Sequence, residues 1–270
     1  MQYQFAEING TQIHYDDQGA GTAVVFIHAG IANLGMWDEQ MAAFTERHRV
    51  VRYDMRGWGQ TANPPGSFSD HDDLRQLLDQ LGIEQAAVVG CSIGGQTAVE
   101  FAVTHPERVS KLVLVCSGLG GYQYPDLLPD DPLMNLFQAA EEAANRGDLD
   151  TAAELETHLW FDGLNRQPAQ VAPDKRARAY GLVRAALGVA KGEGQRLPVE
   201  PPPIEQLGNI TAPTLIIVGA EDLPDTVDVA KALAAGIGDT RRVTMADTAH
   251  LPNIEKTAEF NQLVLDFLEA

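Results

Sequence analysis

Basic residues are scarce in this chain: 19 Lys and Arg stand against 38 Asp and Glu, a formal charge of −19 over 270 residues. That balance repels phosphate backbones and anionic bilayers, so neither nucleic acid nor a membrane surface is an expected partner. Cysteine is almost absent. Cys91 and Cys116 are the only two, and both fall in or beside apolar strand candidates, where cysteine behaves as a small buried hydrophobe. A disulfide framework or a cysteine metal site is therefore not expected, no Cys/His or His-x-x-x-His cluster suggests a metal elsewhere, and a reducing, cytoplasmic setting fits best. No apolar run approaches the roughly 18–20 residues of a membrane span. Met1-Gln2-Tyr3-Gln4 opens neither a basic nor an apolar leader segment, so no signal peptide is expected. Internal repeats and low-complexity tracts are missing too. What remains is ordinary globular material, 44% apolar and 21% charged, long enough for one large α/β domain with an insertion or for two small domains.

Into that unremarkable background Gly90-Cys91-Ser92-Ile93-Gly94-Gly95 sets a serine between two glycines at G-x-S-x-G spacing. The preceding run ends in β-like Ala86–Val89 and the following one, from Ile93, reads as a helix. A serine at a tight strand-to-helix turn adopts a strained backbone, and Gly90 and Gly94 keep side chains from colliding there. The turn exposes the hydroxyl above the sheet edge, and the helix start leaves unpaired N–H groups beside it.

The rest of the chain supplies a frame for such a turn. Tyr3–Ile8 and Gln12–Tyr15 read as an antiparallel pair turned by Asn9-Gly10. After Gly21, short apolar strands alternate with amphipathic helices: Ala23–Ile27, Arg49–Tyr53, Ala86–Val89, Lys111–Cys116, Thr214–Val218 and Arg241–Thr244 against Trp37–Arg47, Asp70–Leu81, Ile93–Thr104, Val227–Ala235 and Thr257–Leu268. That alternation predicts an α/β fold, a mostly parallel eight-stranded sheet with helices on both faces. It stops between Tyr122 and about Ala212. There Pro132–Asn145, Thr151–Trp160 and Asp174–Val189 read as helices, Thr151 with Glu154 matches a capping box, Gly147 suits a helix end, and Pro201-Pro202-Pro203 a stiff connector. The predicted organisation is a core of residues 1–121 and 213–270 carrying an all-helical cap, or lid, at 122–212.

A serine hydroxyl needs a base within hydrogen-bond reach and an acid to orient that base. Of seven histidines, His250 follows the Arg241–Thr244 strand in a turn, which holds it at the sheet rim where the serine emerges. His105 precedes a proline at a helix end, and His14, His48, His71 and His158 lie in segments with no partner motif. Asp222, three residues beyond the glycine ending the Thr214–Val218 strand, is the preferred acid, with Glu221 and Asp225 as competitors. The chain order Ser92, Asp222, His250 is that of the α/β-hydrolase fold.

Three further motifs carry a resemblance. Asp54-Met55-Arg56-Gly57-Trp58-Gly59, His28-Ala29-Gly30, and Ala249-His250-Leu251-Pro252-Asn253-Ile254-Glu255 through Phe260 are similar to the D-x-R-G-x-G loop, the His-Gly-x turn and the G-H-x-x-x-x-E…F ending of the α/β-hydrolase superfamily. The chain resembles its cap-bearing esterase, lactonase and non-heme perhydrolase branch along nearly all its length, least tightly in the cap. The resemblance implies an oxyanion hole from the backbone N–H groups of Gly30 and Ile93. It also implies structural roles for His28, Asp54 and Arg56. Ala29 and Ala249 depart from the usual glycines at their positions. Serine at the nucleophile position disfavours dehalogenase and epoxide hydrolase activity, which use aspartate there.

The expected activity is a serine hydrolase cleaving a small to medium apolar carboxylic ester or a lactone through an acyl-Ser92 intermediate, without a cofactor. Enol-lactone opening, carbon–carbon bond hydrolysis and peracid formation use the same three residues, and a non-catalytic small-molecule receptor keeps the same scaffold. A nucleotide-binding module fares worse: the elbow lacks the Lys-Ser/Thr of a phosphate loop, and Gln123 stands where Gly118-Leu119-Gly120-Gly121 would need its third fingerprint glycine. Candidate pocket residues are Ile31, Phe137, Trp160 and Leu251, with Leu133, Met134, Phe161 and Tyr180 as further cap walls. No motif places an Arg or Lys to hold a substrate carboxylate, which points to neutral substrates. Oligomeric state is not legible.

Overall fold

Asn9 and Gly10 both adopt positive φ, 46° and 76°, and this two-residue turn pairs β1 (Gln4–Ile8) with β2 (Thr11–Gly19) antiparallel. The computed structural model describes residues 4–124 and 131–270; Tyr3, expected to begin the first strand, lies outside them. Beyond the hairpin come β3 (Thr22–Ile27), α1 (Asp38–Thr45), β4 (His48–Tyr53), β5 (Gly66–Phe68), α2 (Asp70–Gln80), β6 (Ala86–Cys91), α3 (Ile93–Thr104) and β7 (Val109–Val115). The segment after β7 holds α4 (Pro132–Asn145), α5 (Leu149–Thr157), α6 (Pro173–Leu187), β8 (Gly194–Arg196) and α7 (Pro203–Gln206). The chain closes with β9 (Thr214–Gly219), α8 (Pro224–Gly236), β10 (Thr240–Met245), α9 (Pro252–Glu255) and α10 (Thr257–Glu269).

Eight strands form one sheet in the order β1-β2-β4-β3-β6-β7-β9-β10. Its first two pairings are antiparallel and the rest parallel. Alternate residues of the central strands face opposite layers. Val25, Ile27, Val88, Leu112, Leu114 and Ile216 pack with α2, α3 and α8, while Val24, Phe26, Val89, Val113, Val115 and Ile217 pack with α1 and α10. Strands covered on both faces carry the near-continuous apolar runs seen in the sequence. The α10 stripe behaves as its spacing predicts: Phe260 and Val264 are buried, and Leu263, Phe267 and Leu268 pack beside them.

The winding direction reverses between β3 and β6, so their C-terminal ends flank the crevice where such sheets bind ligands. Ile27 pairs with Gly90 across that boundary. Gly30 and Ser92 therefore emerge side by side.

In the segment between β7 and β9, α4 packs on α5 and α5 on α6. Two expectations for it need correction. It is not all-helical, because β8 pairs parallel with β5, where Arg196 joins Asp70 and Glu100 of the core. The capping box at Thr151 does not form either: α5 starts at Leu149, and the Asp148 carboxylate accepts the Thr151 N–H at 3.1 Å. An aspartate three residues earlier offers a better cap than the threonine. Gly147, at φ 78°, ends the preceding helix as expected, its N–H donating to Ala144 O at 2.9 Å. Pro203 opens α7 rather than continuing an extended connector.

Candidate active site

Ser92 sits at φ 57°, ψ −119°, between the last residue of β6 and the first of α3. No L-residue adopts that conformation without strain. Its main chain is held on both sides: the Ser92 N–H donates to Val115 O at 3.0 Å, and its carbonyl accepts from Gln96 N and Gly118 N at 3.0 and 2.9 Å. The flanking glycines are dictated by contact. A Cβ on Gly90 would meet Gly94 O at 2.2 Å, and one on Gly94 would meet the Ile27 and His28 carbonyls at 2.5 Å. The strand, the helix and the oxyanion loop are thus in backbone contact around the hydroxyl.

His250 and Asp222 come together from the ends of β10 and β9. The imidazole Nδ1 lies 3.0 and 2.9 Å from the two Asp222 carboxylate oxygens, with side-chain exposures of 4% and 1%. This leaves Nε2 as the nitrogen free to exchange a proton with Ser92, which lines the same cavity. Asp222 is also held by its own loop, accepting the Leu223 N–H at 2.8 Å. Of the two competitors, Glu221 bonds Asn165 instead, at 3.5 Å; Asp225 lies in the cavity wall.

The turn carrying the histidine is fixed from below by Glu255, whose carboxylate accepts the Ala249 N–H at 2.6 Å and the Arg166 guanidinium at 2.8 Å. Burial outweighs both and pushes the Glu255 carboxyl up to about 7. From above, the Trp160 carbonyl accepts the His250 N–H at 3.0 Å, and the indole lies 4.6 Å from the imidazole, centroid to centroid. Trp160 belongs to a π-helical turn, His158–Asp162. The indole N–H is occupied by the Glu156 carboxylate at 2.6 Å.

The expected oxyanion donors, Gly30 and Ile93, lie close together. A Cβ on Gly30 would lie 3.4 Å from Ile93 Cγ2, so the two amides proposed as donors belong to neighbouring residues. His28 is fully buried and has no contact to spare for catalysis. Its Nδ1–H donates to Ala29 O at 2.8 Å and its Nε2 accepts the Met55 N–H at 3.0 Å, and burial lowers its pKa, which keeps it neutral. Asp54 accepts from Leu34 N and Gln60 N at 2.8 and 2.9 Å and lies 2.6 Å from His14 Nδ1. Arg56 grips Asp73 and reaches the Ile8 and Asn9 carbonyls. Both tie loops together. His14, which showed no partner motif, is 2% exposed and is held by that aspartate.

Ser92 and His250 open onto a cavity of about 270 Å³. Phe137, Trp160 and Leu133 are in its wall. Ile31 and Leu251 are not among its lining residues, contrary to expectation. Leu251 is fully buried in the layer beneath α1 and α10, and Ile31 packs against the same layer. The residue after a rim histidine can turn inward to anchor its loop, and here it does. Phe161 is buried in that layer as well, and Tyr180 lines a separate surface hollow. Residues missed in the sequence are Tyr124, Leu223, Thr226 and Val229, and Cys116, which is more than filler. Cys116 takes φ 44° at the end of β7, and its Sγ, the Asp222 carboxylate and the His250 ring lie within 4.8 Å of one another. Burial holds the thiol pKa well above its usual range, with Asp222 adding to the effect. A thiol kept protonated is a donor, here to the Ala249 carbonyl at 3.7 Å, and a poor metal ligand. The rule that sites collect at strand C-termini would have singled it out.

A family described as the α/β hydrolase fold matches residues 22–257. The chain belongs to that family. Among curated relatives, it is 32% identical over 272 residues to the 2-hydroxy-6-oxononadienedioate/2-hydroxy-6-oxononatrienedioate hydrolase of Paraburkholderia xenovorans, covering 95% of this chain and 90% of that one. It is 29% identical over 265 residues to the 2-hydroxy-6-oxo-6-phenylhexa-2,4-dienoate hydrolase of Comamonas testosteroni, covering 95% and 91%. Among solved structures, the enol-lactonase of Burkholderia xenovorans superposes with a TM-score of 0.77 at 26% identity, covering 98% of this chain and 100% of that one. This α/β hydrolase therefore has hydrolases of small molecules as relatives. No helix among its described residues is long and apolar enough to cross a membrane.

Proposed function

We propose that this protein is a serine hydrolase that transfers an acyl group from an enol-type leaving group to Ser92 and then to water. The observation that carries the reading is the Asp222–His250 pair at 2.9 Å sharing one cavity with a strained, half-buried elbow serine. Ser92 Oγ attacks the carbonyl carbon as its proton passes to His250 Nε2, while Asp222 holds the imidazole in the productive tautomer. The oxyanion accepts hydrogen bonds from the Gly30 and Ile93 amides, each worth roughly 3–4 kcal/mol. The bond to the leaving group breaks, that group takes the proton from His250, and water activated by the same histidine releases the acid. The enol character is favoured by the relatives, since carbon–carbon cleavage of an oxo-dienoate and opening of an enol-lactone both expel an enol or enolate.

Simple carboxylic esters are the second reading, favoured by the mainly apolar cavity wall of Leu133, Phe137, Trp160, Leu223 and Val229. Turnover of 2-hydroxy-6-oxo-6-phenylhexa-2,4-dienoate, its methyl ester, an enol-lactone and p-nitrophenyl butyrate by wild type and Ser92→Ala separates the readings. Serine-dependent cleavage of an enol-type substrate, faster than that of a simple alkyl ester, is the expected result. Butyrate turnover alone moves the protein to the second reading, and binding with no burst of p-nitrophenol would make it a receptor.

A further inference from the structure

The wall of the Ser92 cavity contains no lysine or arginine, but it does contain a carboxylate. Asp225, in the first turn of α8, lines the same cavity as Ser92, together with Tyr124 and Thr226. Among the described residues it forms no ion pair, and the nearest charge to perturb it is another acid, Asp228. Residues 125–130, Pro-Asp-Leu-Leu-Pro-Asp, contribute no cation either. We propose that Asp225 sets the charge preference of the site, excluding substrates that bring a carboxylate to this wall and admitting uncharged ones.

The proposal rests on the serine-hydrolase reading above and sharpens it. The curated relatives are named for dienoates and dienedioates, carboxylates by their names. A site accepting such groups needs a cation or a cluster of donors where the carboxylate lands. Here that wall offers a like charge on a half-buried carboxylate, whose repulsion salt can screen. Burial and Asp228 both raise the Asp225 pKa from its ordinary value, the response of an acid with no compensating cation. The net charge of −19 adds a long-range field of the same sign. Specificity of this kind is built by repulsion as much as by attraction.

Matched esters test it. p-Nitrophenyl butyrate and mono-p-nitrophenyl succinate have acyl chains of similar length and share a leaving group, differing in one terminal carboxylate. In wild type at low ionic strength, kcat/KM should favour the butyrate by roughly 10–30-fold. That ratio should shrink about 5-fold or more in Asp225→Asn and further in Asp225→Lys, and added salt should narrow the wild-type gap. A ratio equal in all three proteins overturns the proposal while leaving the serine chemistry intact. Where neither ester is turned over, the same ratio is read from the rate at which a butyl and a carboxypropyl fluorophosphonate label Ser92, followed by intact mass. Failure of the folded protein to be labelled by either reagent removes the Ser92 reading itself, and the proposal with it.

Discussion

The active site is assembled from two unlike halves. The sheet contributes Ser92, Asp222, His250, Gly30 and Cys116, each within a few residues of a strand C-terminus, with Ser92 held by three backbone hydrogen bonds between crowded glycines. The segment after β7 contributes Leu133, Phe137 and Trp160 through helices that pack chiefly on one another. The sheet half positions atoms that react, where a displacement of an ångström is costly. The other half covers and shapes. One contact crosses between them with unusual directness: the Trp160 carbonyl on the His250 N–H. The comparison teaches that chemistry is fixed by parallel-strand geometry, whereas selectivity is delegated to parts free to vary.

The largest effects should therefore come from the sheet half. Ser92→Ala removes the nucleophile and should lower kcat by roughly 10⁴–10⁶ with little change in melting temperature. A tenth of the activity remaining would contradict the assignment. Asp222→Asn should cost about 10³–10⁴ in kcat, because an amide no longer fixes the imidazole tautomer. Glu221→Gln, by contrast, should stay within a few-fold, since Glu221 faces Asn165. Steady-state rates on one p-nitrophenyl ester rank all three, and Glu221→Gln falling below Asp222→Asn would reassign the acid.

The same division explains what was legible in the sequence. Ser92, Asp222 and His250 were readable as a candidate triad because a nucleophile needs a unique backbone turn and its partners need strand ends, and both requirements leave local marks. Gly30 followed only from the resemblance. Cys116 was passed over: its place at a strand C-terminus marks it, but nothing local shows that its sulfur comes within 4.8 Å of the Asp222 carboxylate. His14 and Asp54 lie far apart in sequence but meet because β2 runs antiparallel to β4. In the cap segment, periodicity found α4, α5 and α6 to within two or three residues. It could not find β8, three residues long, whose strand state depends on β5. Nor could it find the π-turn that aims Trp160, since a one-residue expansion of a helix has no compositional mark. Leu251 was misplaced because adjacency to a catalytic residue says nothing of which way the next side chain points.

Trp160 is the place to test how far the second half enters catalysis. Its indole is tilted 47° to the His250 imidazole at 4.6 Å, and in the proposed mechanism that imidazole becomes cationic during acylation, a neighbourhood worth about 1–2 kcal/mol when desolvated. Trp160→Ala should lower kcat roughly 10–30-fold, and Trp160→Phe by less, while the main-chain bond to His250 persists. A Trp160→Ala enzyme within two-fold of wild type in kcat would reduce this residue to a pocket wall.

The smallest effect, and the one that isolates the histidine turn from the rest, is a pH dependence of stability at Glu255. Its carboxyl is raised from an ordinary 4.5 to about 7 by burial, so between those values the folded state holds a proton that the unfolded chain releases. Stability from this group consequently falls as pH rises from about 4.5 through 7 and is level above, a loss on the order of 2–3 kcal/mol. Neutral, buried His28 has the opposite sign: its lowered pKa makes folding less stable as pH drops below the ordinary histidine value. Glu255→Gln keeps an amide oxygen for the Ala249 N–H and removes the ionisation; the acceptor it takes from Arg166 is a cost independent of pH, and His28 is common to both proteins and cancels in their difference. The melting temperature of Glu255→Gln minus that of wild type should therefore climb by roughly 4–8 °C between pH 4.5 and 7.5. A difference that stays flat across that window would mean that the Arg166 guanidinium, 2.8 Å from the carboxylate, fully offsets the burial and leaves Glu255 charged at no cost.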